Sequence, residues 1–114
     1  MSYKVKAQDV RTEAAALYKA VPEAMTAFQG LMKAASKDGA LPAKTKELMA
    51  LAIAIAMRCE GCIVFHVQNA MRHGASRQEL AETIAVAVEM GGGPATVYGG
   101  KALGAFDEFG SGQS

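Results

Sequence analysis

The sequence has no tryptophan, three prolines and two cysteines, and neither sign of charge is in clear excess. Its 12 basic and 11 acidic side chains leave a formal charge of +1, so no net field gathers phosphates or holds the chain on an anionic membrane surface. Neither a nucleic acid nor a membrane is an expected partner. A secreted-type disulfide framework is not expected from two cysteines, and their close spacing favours redox or metal chemistry instead.

Long hydrophobic runs are also missing. The longest apolar stretch, Leu48 to Met57, covers ten residues, about half of what a bilayer-spanning helix requires. The first ten residues mix charge and polarity where a secretory signal would be apolar. We therefore expect a cytoplasmic protein, and the length predicts a single domain over residues 1–114.

The residues that are abundant favour helices. Ala, Leu, Met, Glu and Lys fill the segments between Pro22, Pro42 and Pro94, and no segment sustains the period-two pattern of a strand. This composition predicts an all-α bundle of about six helices, with a frayed tail over residues 110–114. The expected helices are, in chain order, 8–20, 22–37, 42–57, one from the cysteine pair to 73, 76–90 and 95–109.

The third of these helices contains LMALAIAIAM, which is apolar on every side. A helix of this kind must be covered on every side, and a chain of 114 residues has little material to do so alone. The sequence therefore predicts a homo-oligomer in which another subunit covers the helix. The alternative is a helix that is simply central in its own bundle.

The main candidate for chemistry is the string Cys59-x-x-Cys62-x-x-x-His66 at a predicted helix start. Offsets of three and seven residues place all three side chains on one helical face. The positive end of the helix dipole favours thiolates there, and His66 is one turn from Cys62, where it can take a proton. The pair could instead be two small buried residues, or these three side chains could bind zinc. His73 lies about 16 Å beyond Cys62 along the helix, too far to complete such a site.

Glu47 is the second candidate, because it is the only acidic residue between Asp38 and Glu60 and lies at the edge of the apolar run. A carboxylate that enters a helix interface is costly unless it has a partner or a task, which makes Glu47 a candidate general base. It could equally belong to the exposed first turn of its helix.

Together, Glu47, Cys59, Cys62 and His66 resemble the E-x(11)-C-x-x-C-x-x-x-H signature of the AhpD-like alkylhydroperoxidases, within the carboxymuconolactone decarboxylase-like superfamily. The resemblance extends over residues 41–109. It implies a small all-helical subunit that assembles into trimers or hexamers and needs no metal or organic cofactor. It also implies that Cys62 is the peroxidatic thiol and Cys59 the resolving thiol, with His66 and Glu47 as a proton relay.

Such an enzyme reduces an organic hydroperoxide and is regenerated by a dithiol donor, which in the better-known relatives is a lipoyl-bearing protein. One position departs from those relatives, which carry a second histidine where this chain has Gly61. Two other functions remain open. One is a non-catalytic oligomer that senses redox state or binds metal through the same cysteines. The other is a cofactor-free decarboxylase-like lyase, although the decarboxylase branch lacks the cysteine pair.

Overall fold

Six α-helices and no strand make up residues 2–111, the part of the chain that the computed structural model describes. They are α1 (Tyr3–Ala20), α2 (Pro22–Ser36), α3 (Ala43–Ala56), α4 (Glu60–Arg72), α5 (Arg77–Gly91) and α6 (Gly93–Phe109). The all-α prediction is confirmed. Of the predicted tail, Gly110 and Ser111 form a turn, and residues 112–114 lie outside the described residues. No helix within 2–111 combines the length and apolarity needed to cross a membrane.

Local sequence signals set several helix ends where they were predicted. The Ser76 hydroxyl accepts a hydrogen bond from the backbone N–H of Glu79, and the Glu79 carboxylate accepts one from the N–H of Ser76. This capping box starts α5. Gly74 ends the α4 turn with φ +85°, and Gly92 separates α5 from α6 with φ +70°, conformations that suit glycine.

Helix α1 begins at Tyr3, so the predicted start near Gln8 is wrong. Ser2 is the N-cap, its hydroxyl accepts a hydrogen bond from the backbone N–H of Val5 at 3.3 Å, and a distant residue adds to this cap. The Glu108 carboxylate, on α6, accepts hydrogen bonds from the Ser2 hydroxyl and the backbone N–H groups of Tyr3 and Lys4, at 2.8, 2.8 and 2.9 Å. These bonds, with the two backbone N–H groups contributing most, hold the pKa of Glu108 below its usual value. The contact also fixes α1 against α6.

The core lies between α3, α4, α5 and α6, which pack on one another. Its largest fully buried side chains come from three of these helices: Leu51, Ile55, Ile63, Val64, Val67 and Leu80. Helix α1 lies against α4 and α6, whereas α2 packs only against α1 and α3 among the described elements. None of the described residues of α2 is buried. Helix α2 is therefore an outer arm, joined to the core bundle through its neighbours.

Helix α3 packs against α2, α4, α5 and α6 but is not covered on every side. Leu51, Ala54 and Ile55 are buried, but Met49 and Ile53 are 48% and 57% exposed, and Met57 just beyond the helix is 72% exposed. These three exposed residues are spaced by four and form one apolar stripe, which we call the α3 stripe. The chain's own helices therefore leave this stripe of α3 uncovered, although α3 packs on four of them. That a second copy of the chain covers it remains a prediction.

Candidate functional site

The cysteine pair stands at the start of α4, as the sequence predicts. Cys59 is the N-cap of the helix, and its Sγ accepts a hydrogen bond from the backbone N–H of Cys62 at 3.2 Å. The two cysteines are joined by a disulfide. Both sulfurs thus lie by the unpaired N–H groups and positive dipole of the helix, a setting that favours a thiolate once the disulfide is reduced.

A tight turn between α3 and α4 places Cys59 at the start of α4. Arg58 has φ +58°, a left-handed conformation that costs a non-glycine residue about 1–2 kcal/mol. The turn is held by the N–H of Cys59, which donates to the carbonyl of Ala54 at 3.0 Å, and by the N–H of Arg58, which donates to Ile55 at 3.1 Å. Neither glycine nor asparagine stands at position 58, so the sequence gives no signal for this conformation.

Glu47 and His66 are hydrogen-bonded across the interface between α3 and α4. The Glu47 Oε1 atom lies 2.8 Å from His66 Nδ1, and Glu47 is 6% exposed, which makes it a buried carboxylate with one dedicated partner. It follows the first turn of α3, so the interpretation of Glu47 as an exposed first-turn residue is wrong. In the tautomer in which Nδ1 carries the hydrogen, the carboxylate accepts this bond and Nε2 is left for another partner.

Cys62 and His66 are one turn apart on α4 and line the same cavity. Cys62 is exposed, whereas Cys59 is partly buried. Phe65 packs edge-on against the His66 ring, with 5.1 Å between ring centres, which restricts the orientation of the imidazole. All four predicted site residues therefore meet at the junction of α3 and α4: Glu47 bonds to His66, Cys59 bonds to Cys62, and the cavity joins the two pairs.

At Gly61, where the sequence departs from the AhpD-like signature, α1 approaches the start of α4 closely. A Cβ atom at this position would lie 3.2 Å from Cγ2 of Val10, because α1 closes over the start of α4. Any side chain at position 61 therefore requires Val10 to shift by a few tenths of an ångström.

A charge cluster that the sequence analysis missed surrounds Glu60, between the two cysteines. Lys6 of α1 and Lys101 of α6 place their Nζ atoms 3.1 and 3.6 Å from its carboxylate oxygens. The hydrogen bond from Lys6 is the main cause that lowers the pKa of Glu60, and Lys101 adds to it. The two lysines compensate the negative charge of Glu60, which would otherwise oppose formation of a thiolate at the neighbouring cysteines. Only the tertiary fold brings these three residues together.

The geometry does not gather a set of metal ligands. Within residues 2–111, no group of three or more His, Cys, Asp or Glu side chains is placed to share one ion. His73 caps the far end of α4 and is exposed, at the opposite end of the helix from the cysteines.

Residues 22–107 match the family model described as the carboxymuconolactone decarboxylase family. An uncharacterized protein of Cupriavidus necator is 49% identical over 104 residues, which cover 91% of this chain and 92% of that protein. The chain is thus similar in sequence to this protein over most of its length.

Solved structures show the same fold. A carboxymuconolactone decarboxylase family protein from Legionella pneumophila, in its apo form, superposes with a TM-score of 0.91 at 50% identity, over 94% of this chain and 96% of that one. A Thermotoga maritima family protein, described with a suggested role in the antioxidative response, gives a TM-score of 0.70 at 33% identity, over 75% of this chain and 88% of that one.

Proposed function

The chain belongs to the carboxymuconolactone decarboxylase family, and we propose that it is an alkylhydroperoxidase-like enzyme, a thiol-dependent peroxidase and disulfide reductase acting on organic hydroperoxides. The observation that carries the proposal is the buried 2.8 Å contact between Glu47 and His66, one helical turn from an exposed cysteine of a CxxC pair. A buried carboxylate with one imidazole partner is an arrangement suited to moving protons. A lyase without thiol chemistry would not need the cysteine pair.

The first step is attack by the Cys62 thiolate on the terminal oxygen of the hydroperoxide. A sulfur–oxygen bond forms, the O–O bond breaks, and two electrons pass from sulfur to oxygen. Cys62 becomes a sulfenic acid, and the departing alkoxide takes a proton from His66 to leave as the alcohol. Glu47 stabilises the charged imidazole while it holds that proton.

The second step closes the disulfide. The Cys59 thiol attacks the Cys62 sulfur, and the hydroxyl of the sulfenic acid leaves as water with the proton of that thiol. A dithiol donor then supplies two electrons and two protons to reopen the Cys59–Cys62 bond. A small dithiol on a lipoyl-bearing protein has the chemistry for this exchange, and the reducing cytoplasm is where such a donor is regenerated.

Three observations support Cys62 as the attacking thiol. Cys62 is exposed, lines the cavity and is the cysteine one turn from His66, whereas Cys59 is partly buried. Access and proximity to the proton carrier both decide which thiol of a pair reacts first. The proposal includes a homo-oligomer, a trimer or hexamer, whose subunits meet at the α3 stripe.

The test is thiol counting by mass spectrometry on the reduced protein, before and after one equivalent of an organic hydroperoxide. The proposal expects both cysteines to be lost to one disulfide, with one alcohol formed, and repeated turnover when dihydrolipoamide is supplied. If oxidation occurs only at the rate of a free thiol and no donor supports turnover, the chain is a redox-sensing module instead. A metal assay on protein purified without chelator checks the metal-binding alternative.

A further inference from the structure

An apolar cavity of about 340 Å³ opens beside Cys62, between α4 and the helices α1 and α2. Its volume falls in the range of small-molecule sites in proteins, and no Asp, Glu, Lys or Arg is among the described residues that line it. The side chains that form most of its wall are Ala14, Tyr18, Met25, Phe28, Met32 and Phe65.

A second, more polar cavity of about 220 Å³ adjoins the first and shares Met32, Phe65 and His66 with it. It reaches Glu47, and its wall includes polar side chains: Ser36, Lys46 and Asn69. The His66 ring therefore stands at the boundary between an apolar space that contains the reactive sulfur and a polar space that contains its carboxylate partner.

We propose that the apolar cavity is the binding site for the organic group of the substrate, and that it selects hydroperoxides with an uncharged, apolar alkyl or aryl group. The proposal rests on the peroxidase function above and deepens it. A charged group would lose its water there with no ionic partner in the described wall, whereas an apolar group gains from burial. Hydrogen peroxide would leave the cavity unfilled.

In this proposal, substrate choice depends on a different part of the chain from the residues that react. Ala14 and Tyr18 lie on α1 and Met25, Phe28 and Met32 on α2, all outside residues 41–109, which carry the cysteine motif. Helix α2 packs on α1 and α3 and has no buried residue, and three of its side chains form one wall of the cavity. Substitutions at these positions of α1 and α2 alter the shape of the cavity without changing the residues that react.

The kinetic test compares cumene hydroperoxide with hydrogen peroxide in single-turnover oxidation of the reduced protein. Ala14→Phe fills the cavity, so we expect the preference for cumene hydroperoxide over hydrogen peroxide to fall by about tenfold or more. Ala16→Phe is the matched control, because Ala16 is exposed and about 200° around α1 from Ala14, and it should keep the wild-type preference. Phe28→Ser, at a half-exposed site, removes part of the wall and should lower the same ratio even if Ala14→Phe folds poorly.

Binding of cumyl alcohol to the oxidised protein, measured by calorimetry, separates this proposal from the peroxidase function. We expect the alcohol to bind the wild type and Ala16→Phe and to lose affinity in Ala14→Phe and Phe28→Ser. If it does so while no hydroperoxide oxidises the cysteines, the cavity is a ligand site and the peroxidase function is wrong. If both hydroperoxides react with unchanged preference in Ala14→Phe and Phe28→Ser, the substrate-site proposal is overturned and the peroxidase function stands.

Discussion

Replacing Glu47 by glutamine removes the charge of the buried carboxylate while keeping its size and one oxygen that can accept from His66. The contact is 2.8 Å long and Glu47 is 6% exposed, so solvent screens this charge only weakly. With the amide in place, a protonated His66 loses the partner that stabilises it. The proton carrier of the proposed reaction is then weakened, although the packing of α3 on α4 is preserved.

The size of the effect follows from these two consequences. Loss of a general acid or base lowers a rate by about 10²–10⁴-fold, which is about 3–5 kcal/mol of activation free energy. Hydrogen bonds to charged groups contribute about 1.5–3 kcal/mol to stability, and the amide retains part of that. Glu47→Gln should therefore react far more slowly than the wild type while it remains folded.

Stopped-flow oxidation of the reduced protein by cumene hydroperoxide measures the rate, and circular dichroism measures the thermal midpoint. Glu82→Gln is the matched control, because Glu82 is an exposed carboxylate on α5 that accepts a hydrogen bond from Gln78 at 3.0 Å. It should keep the wild-type rate. A folded Glu47→Gln protein that reacts as fast as this control would remove Glu47 from the proton relay.

Three further predictions concern the fold around the site. Gly61→His crowds the Val10 methyl that lies 3.2 Å from the new Cβ, so Val10→Ala should be more favourable in the Gly61→His protein than in the wild type by about 0.5–3 kcal/mol in chemical denaturation, and an equal effect in both proteins would contradict the contact. Ile53→Glu should shift light scattering from an oligomer toward a subunit of 11.9 kDa, and a wild type that is already monomeric refutes the predicted interface. The lowered pKa of Glu108 stabilises the fold at pH values above 4.5, the ordinary pKa of a glutamate, and this stabilisation is lost as the pH falls through the lower folded-state pKa. Glu108→Gln should therefore make stability fall less steeply with acid in a pH series of unfolding measurements, and an equally steep fall would contradict the cap.

The sequence was sufficient wherever a feature depends on residues that are close along the chain. The Ser76 and Glu79 capping box, the left-handed Gly74 and the cysteine pair at a helix start all follow from spacings of a few residues, and the structure confirms each. The helical class follows from composition in the same way.

Apart from the left-handed Arg58, the features that sequence reasoning missed depend on long-range packing. The cap on α1 comes from Glu108, more than one hundred residues from Ser2, so the start at Tyr3 has only a weak local signal in Ser2 itself. The lysines that compensate Glu60 come from two other helices. The sequence left open whether Glu47 is buried at a helix interface or exposed in the first turn, because a periodic pattern does not show which neighbouring helix supplies a partner. The structure shows a buried Glu47 bonded to His66 of α4.

The most direct test of the proposed chemistry identifies which sulfur the hydroperoxide oxidises. Reduced Cys59→Ser and Cys62→Ser proteins are each treated with one equivalent of cumene hydroperoxide in the presence of dimedone, and the labelled residue is located by mass spectrometry. The account predicts one dimedone label on Cys62 in Cys59→Ser, and neither label nor rapid peroxide loss in Cys62→Ser. A label on Cys59 in Cys62→Ser, with peroxide consumption intact, would contradict it and assign the attack to the first cysteine.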